Sequence, residues 1–404
     1  MTTQQAQKNN KNNKTKKKIP GLRFGGFNGE WEEKKLGEVF ERVTRKNKEN
    51  NKNVLTISAQ QGLVNQKEYF LKAIASKDVT GYYLLHKGDF AYNKSYSKGY
   101  PMGAIKRLKN YNKGVVSTLY ICFTLRDSGY SEYFFDKYFN AGKINRGIAK
   151  IAQEGARNHG LLNMAVNDFF DDIEITIPQK DEQEKIAGFL SVVDEWVENL
   201  KGQKEDLEKY KKGVMQKLFP AKGEQVPQLR FSGFTGNWEE KKLGEVSKIT
   251  TGKLDANAMT ESGKYRFYTC AKNFYSIDKY AFDTEALLIS GNGANVGYIH
   301  YYKGRFNAYQ RTYILDDFSQ DIIFTKYFLQ TTLKNRIERE KKAGNTPYIV
   351  MGTLSNMKIN FPSLPEQQKI ASFLTSLDNI IESTEQKISQ AEQWKKGLMQ
   401  RLFV

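Results

Sequence analysis

Nine consecutive residues, Tyr92-Asn93-Lys94-Ser95-Tyr96-Ser97-Lys98-Gly99-Tyr100, bring rings, amides, hydroxyls and ammonium groups into one short run. Such groups hydrogen-bond base edges, stack on bases and neutralise phosphates, which is the chemistry of nucleic-acid contact. Gln60-Gln61 and Arg157-Asn158-His159 offer the same chemistry elsewhere in the first half of the chain. In the second half, Lys272-Asn273, Asn292, Asn295, Tyr309-Gln310-Arg311 and Asn345-Thr346 occupy comparable places. Asn, Ser and Gly also favour turns for purely local reasons, so ordinary loop chemistry is the competing reading of every one of these positions.

Residues for bond-making chemistry are missing. The prolines at 20, 101, 178, 220, 227, 347, 362 and 365 are never adjacent, so an amino-methyltransferase motif of the Asn/Asp-Pro-Pro-aromatic type is absent. Gly-Lys occurs at Gly142, Gly252 and Gly263 and is followed by Ile, Leu and Tyr, so no Walker A loop is present to cradle a triphosphate. The glycines 291, 293 and 297 are spaced GxGxxxG with no surrounding βαβ unit, which suits a tight turn better than a dinucleotide. Three histidines (His86, His159, His300) and two cysteines (Cys122, Cys270) give no metal-ligand spacing. The pairs Asp171-Asp172 and Asp316-Asp317 read as turn or cap residues rather than a nuclease site. No catalytic, cofactor or metal residue is therefore assigned.

The formal net charge is +18 over 404 residues. Residues 1–18 carry six lysines and no acid, and read as a disordered basic tail. Residues 182–218 hold seven lysines against eight acids, and residues 366–402 five of each sign, so the remaining +13 sits almost wholly in the two inserts and their lead-ins. Basic inserts on neutral helices fit inserts that meet a polyanionic partner. No apolar run reaches the ~18 residues of a membrane span, no secretory signal is seen, and two cysteines fit small core residues in a reducing, cytoplasmic setting.

These residues sit in a frame written twice. Pro20–Val39 and Pro227–Val246 are identical at 16 of 20 positions, at an offset of 207. A second block, Pro178–Phe219, returns at Pro362–Phe403 with an offset of 184. In it, Ile186, Leu190, Val193, Val197, Leu200, Leu207, Val214 and Leu218 recur at a coiled-coil average, as do Ile370, Leu374, Leu377, Ile381, Ile388, Ala391, Leu398 and Leu402. Two helices of about 37 residues are expected, ~55 Å long, pairing antiparallel with one insert at each end of the rod. The inserts, 31–177 and 238–361, read as strands with helical patches at SEYFFDKYFNAG and DIIFTKYFLQTTLKNRIERE. STLYICF and QRTYILD align with Tyr120 opposite Tyr313 and Ile121 opposite Ile314. The first insert is 23 residues longer, room for an extra hairpin or loop.

The WEEKKLGEV lead-ins, the P-x-x-x-E-Q-x-K-I-A-x-F-L-x-x-x-D helix starts (Pro178 to Asp194, Pro362 to Asp378) and the KKGLMQRLF-type helix ends, with variable stretches between, resemble the specificity subunit of type I restriction–modification systems over nearly the whole chain. The resemblance implies an α+β protein of internal pseudo-twofold repeat: two mixed α/β target recognition domains separated by two long helices in an antiparallel coiled coil. Its domains are then a tail (1–18), a first recognition domain with lead-in (19–177), a central helix (178–220), a second recognition domain with lead-in (221–361) and a C-terminal helix (362–404). It also implies a non-catalytic subunit in which each domain reads one half of a bipartite DNA target. Two modification subunits carrying S-adenosylmethionine and restriction subunits using ATP and Mg are the implied partners. The helices leave Tyr210, Met215, Trp394 and Met399 at matching positions as partner anchors. The competing readings are a single-chain DNA methyltransferase or nuclease with two recognition lobes, and a coiled-coil protein adaptor.

Overall fold

A computed structural model describes residues 18–70, 78–154, 162–221, 223–340 and 347–404. The basic tail, apart from Lys18, lies outside the described residues. The first half runs β1 (Glu32–Lys35), α1 (Leu36–Val39), β2 (Phe40–Arg42), β3 (Leu55–Ser58), β4 (Gly62–Asn65), α2 (Gln66–Phe70), β5 (Tyr83–His86), β6 (Phe90–Asn93), β7 (Ala104–Arg107), β8 (Lys113–Val116), β9 (Ile121–Leu125), α3 (Glu132–Asn140), α4 (Asn145–Ile151), β10 (Gln153–Glu154), β11 (Leu162–Asn163), α5 (Val166–Asp171), β12 (Glu174–Ile177) and α6 (Lys180–Leu218). The second half runs β13 (Glu239–Lys242), α7 (Leu243–Val246), β14 (Lys248–Thr251), β15 (Tyr265–Tyr268), β16 (Tyr275–Ile277), β17 (Phe282–Ser290), β18 (Ile299–Ala308), β19 (Thr312–Asp316), α8 (Ile322–Glu340), α9 (Met351–Ser355), β20 (Lys358–Phe361) and α10 (Leu364–Leu402).

The chain divides into two units, Met1–Asn199 with Ile388–Val404, and Leu200–Lys387. Each unit holds one insert and one half of each long helix. In the first, the N-terminal half of α6 lies against the C-terminal end of α10, with Ile186, Leu190, Leu402 and Phe403 in one core. In the second, Val214 and Leu218 of α6 share a core with Ile370, Leu374 and Leu377 of α10. The helices are therefore antiparallel within both units. Both have 39 residues. The expected seam positions are buried except Leu207, Ile381 and Leu398, which are half-buried.

The repeated motifs have a structural cause. Arg23 donates through Nε and Nη2 to both oxygens of Glu182, at 2.8 and 2.7 Å. Arg230 binds Glu366 in the same way, also at 2.8 and 2.7 Å. This two-pronged fork suits a planar carboxylate and fixes the lead-in to the helix start. The next residue, Gln183 or Gln367, is buried. Its Nε2 donates to the carbonyl of Pro178 or Pro362, and its Oε1 accepts from the backbone N–H of Ser131 or Asp321, where the insert helix begins. Eleven residues further on, Asp194 is bound by Lys137 of α3 and lies 2.5 Å from the Lys395 ammonium. Its counterpart Asp378 takes the Tyr327 hydroxyl of α8 at 2.6 Å and pairs with Lys211. Each insert is thus bolted to the helix pair at matching points.

Both inserts share a strand order. The first has β2-β9-β6-β7, and the second β14-β19-β17-β18 extended by β15-β16. One sheet face packs on the insert helix and the long helices: Phe40, Phe90 and Phe123 against Phe134, Phe135 and Phe139, and Leu287, Ile289 and Leu315 against Phe324 and Phe328. The opposite face is covered differently. In the first insert β3, β4, β5 and β8 supply Leu55, Ile57, Leu63, Leu85 and Val116. In the second the cover comes from Tyr268, Phe306 and their neighbours.

The strand register corrects the sequence alignment by one residue. Glu41 and Lys248 are equivalent at the 207 offset, and they pair with Thr124 and Asp316. Ile121 therefore answers Tyr313, and Cys122 answers Ile314. The shift matters because each step in a strand changes the face. Phe123 and Leu315 both face the helices, whereas Cys122 and Ile314 both face away. Cys122 is buried, which pushes its thiol up to about 12. Cys270 is half-buried just past β15, not at the equivalent place.

Candidate nucleic-acid interface

The register also brings the polar clusters of the two inserts to the same end of the sheet. Ala91 lies opposite both Cys122 and Lys106, and Leu288 opposite both Ile314 and His300. Asn93 is thus equivalent to Ser290, and Lys94-Ser95 to Gly291-Asn292. In each insert the loop after this central strand carries part of the candidate set, Asn93–Tyr100 in the first and Asn292 and Asn295 in the second, and neighbouring turns carry the rest.

In the first insert that loop is anchored from three sides. The Asn93 Oδ1 accepts from the Ser95 N–H at 3.1 Å, and the Lys94 carbonyl from the Leu162 N–H at 3.1 Å. Gln60, in the β3–β4 turn, donates to the Lys98 carbonyl at 3.3 Å, so Gln60, Lys94, Ser95, Tyr96 and Lys98 share one surface. Tyr96 is 64% exposed, and Gln60, Gln61 and Lys98 are exposed. Tyr100 instead turns inward, 2.9 Å from the Lys106 ammonium. Gly103 closes the loop at φ +73°, where a Cβ would lie 2.3 Å from the Asn93 carbonyl, so only glycine fits. Arg157, Asn158 and His159 lie outside the described residues.

In the second insert, Asn295 donates to the Cys270 carbonyl at 3.0 Å, and a His300 ring nitrogen lies 3.0 Å from the Ala271 carbonyl. These fasten the loop bearing exposed Lys272 and Asn273. The Arg311 carbonyl accepts from the Gly291 N–H at 2.8 Å, which places Tyr309-Gln310-Arg311 beside Asn292. Asn292 bridges to Tyr348 through its backbone. Arg311 is exposed, and Gln310 is tied to Asp255 at 2.9 Å. Asn345 and Thr346 lie outside the described residues. Asn93 and Asn295 therefore spend hydrogen bonds shaping their loops, while exposed Gln60, Gln61, Tyr96, Lys98, Lys272, Asn273 and Arg311, with half-buried Lys94, Ser95 and Asn292 beside them, form the presented set.

Sequence reasoning missed Lys106 and His300, which hold equivalent strand positions. Burial pushes Lys106 down to about 8, and burial also lowers His300. It also passed over Leu119, 76% exposed at the position equivalent to Arg311. A lysine or histidine inside a strand-like run gives no sign of such a place. Among the described residues, no group of three or more His, Cys, Asp or Glu could hold a metal ion, and no helix is long and apolar enough to cross a membrane.

On the helices, Trp394 and Tyr210 are 49% and 54% exposed. Trp394 meets Trp196 edge-on at 6.2 Å and Phe189 at 6.5 Å. Met399 lines a cleft of about 410 Å³ in the first unit, and Met215 one of about 430 Å³ in the second. The helix wall of each cleft repeats: Glu392, Lys395, Lys396 and Gln400 in one, Glu208, Lys211, Lys212 and Gln216 in the other.

The type I restriction modification DNA specificity domain matches twice, over residues 28–209 and 235–393. The chain belongs to this family. Among its relatives, the EcoDI specificity subunit of Escherichia coli is 38% identical over 167 residues, 41% of this chain and 37% of that one. The MjaVIII specificity subunit of Methanocaldococcus jannaschii is 28% identical over 268 residues, 58% of this chain and 62% of that one. The alignments thus span less than two thirds of either relative. A crystal structure of a type I system S subunit from M. genitalium shares the fold at a TM-score of 0.59, with 20% identity, covering 95% of this chain and 99% of that one. The fold expected for the specificity family, two mixed domains on long antiparallel helices, is the one observed.

Proposed function

We propose that this chain is the DNA sequence-recognition subunit of a type I restriction–modification complex, with no catalytic centre of its own. Each insert reads one half of a split target. One observation carries this reading. The frame is repeated down to its Arg–Glu fork and its Gln contacts, while the loops presented at the same sheet end differ in chemistry. The first presents Lys94, Ser95, Tyr96 and Lys98, and the second Lys272, Asn273, Asn292 and Arg311. A constant frame with unlike readers suits two unlike half-sites. The net charge of +18 supplies the sequence-independent attraction to phosphate.

Arg and Lys at these sites pair with guanine edges or phosphates, and Asn and Gln with adenine edges. The exposed sides of α6 and α10 dock two modification subunits, with Trp394 and Tyr210 as outer anchors and Met399 and Met215 in the clefts. Restriction subunits join that assembly. S-adenosylmethionine, ATP and Mg belong to those partners. Replacing residues 31–177 with the insert of a relative tests the reading: one half of the methylated motif should change and the other remain. A chimera that alters both halves rejects it.

A further inference from the structure

Arg266 lies outside every cluster singled out in the sequence, yet its guanidinium is sandwiched between two aromatic rings. It is half-buried on β15. Its guanidinium carbon lies 4.2 Å from the ring centre of Phe274 and 4.5 Å from that of Tyr302. Its Nη1 is 3.4 Å from the Tyr268 hydroxyl. Among the described residues no carboxylate pairs with it. Rings against the guanidinium restrict its plane and leave its edge as the accessible part. Phe274 is itself 48% exposed and follows directly on Lys272-Asn273, so the stack stands beside the presented set. The chain from Arg266 continues inward through Tyr268, which contacts His300 at 5.0 Å, and His300 holds the Ala271 carbonyl of the same loop.

We infer that Arg266 is a specificity-determining residue that reads a guanine in the half-site of the second insert. The inference rests on the DNA-recognition reading above. A phosphate accepts hydrogen bonds from many directions, and the exposed Lys264 and Lys272, each two residues from a member of the stack, can serve it. A guanidinium held in one plane is selective only for a pair of acceptors in that plane. The N7 and O6 atoms of guanine form such a pair on the major-groove edge, and a fork-like contact there is the commonest specific arginine contact with DNA. The absence of an internal acid partner among the described residues leaves the fork's donors for that use. The aromatic stack also reduces the side-chain freedom lost on binding.

The test is selection from a random DNA library by the full chain in complex with modification subunits, comparing wild type, Arg266→Lys and Phe274→Ala. Lysine keeps the charge and loses the fork, whereas Phe274→Ala keeps the fork and loosens its plane. The expected result is a roughly 5- to 150-fold loss of preference for guanine at one position of one half-site with Arg266→Lys, the equivalent of about 1–3 kcal/mol. Phe274→Ala should weaken preference at the same position. An unchanged motif with affinity lowered evenly across sequences means a phosphate contact and overturns the assignment. A loss spread over both half-sites also overturns it. A wild-type complex that enriches no motif overturns the DNA-recognition reading itself, and this inference with it.

Discussion

Arg23→Ala strikes the joint on which the first insert hangs. Arg23 gives two hydrogen bonds to Glu182, at 2.8 and 2.7 Å, and others to the carbonyls of Asn28 and Gly29, at 3.1 and 2.5 Å. The Glu182 side chain is only 3% exposed, against 16% for Arg23. Alanine leaves that carboxylate charged, nearly dry and without its fork. Removing one partner of a buried pair costs about 3–5 kcal/mol. The two carbonyls lie in an exposed loop, can turn to water, and add little. Arg23→Met with Glu182→Leu leaves no buried charge and should recover most of the loss. Arg230→Ala should match Arg23→Ala, because the Glu366 side chain is 1% exposed in the same geometry. Equilibrium urea denaturation followed by far-UV circular dichroism measures all three variants against the wild type. If Arg23→Ala costs less than about 1 kcal/mol, the fork behaves as a surface ion pair and the reasoning is refuted.

Lys106 titrates at about 8 in the fold because burial disfavours its charge. The unfolded chain holds that proton up to ~10.4, so stability should rise with pH between those values, and Lys106→Met should remove the rise in a pH series of urea melts. Gly103→Ala places a Cβ against the Asn93 carbonyl at positive φ. It should cost about 1–3 kcal/mol and weaken recognition of the first half-site alone, read by competition binding with single-half-site mutants. Trp394→Glu should lower modification-subunit affinity at least about tenfold, or about 1.4 kcal/mol, with the thermal midpoint little changed. Unfolding without selective loss of binding would place Trp394 in the core instead.

The frame was legible in the sequence because it is repeated and because its period is helical. Ile186, Leu190, Val193 and their counterparts announced the helix pair, and SEYFFDKYFNAG and DIIFTKYFLQTTLKNRIERE announced α3 and α8. The β3–β4 hairpin was not read, since Thr56, Ile57 and Ser58 are buried on both faces and show no alternation. The insert alignment slipped by one residue because matching tyrosines at 120 and 313 outweighed strand pairing, which only the ladder reveals. At the interface, loop composition picked out Tyr92–Tyr100 as a group but could not say that Tyr100 turns inward while Tyr96 turns out. Arg266 stayed hidden for a related reason. Of the rings that hold it, Tyr302 is distant in sequence, and Phe274 lies past the end of β15 across a turn that the sequence does not reveal.

The central claim is that this chain chooses which DNA sequence its complex modifies. Methylome sequencing of the native cells with and without this chain tests it most directly. The account predicts one bipartite motif, two specified halves around an unspecified spacer, methylated when the chain is present and unmethylated when it is deleted. An unchanged methylome after deletion contradicts it.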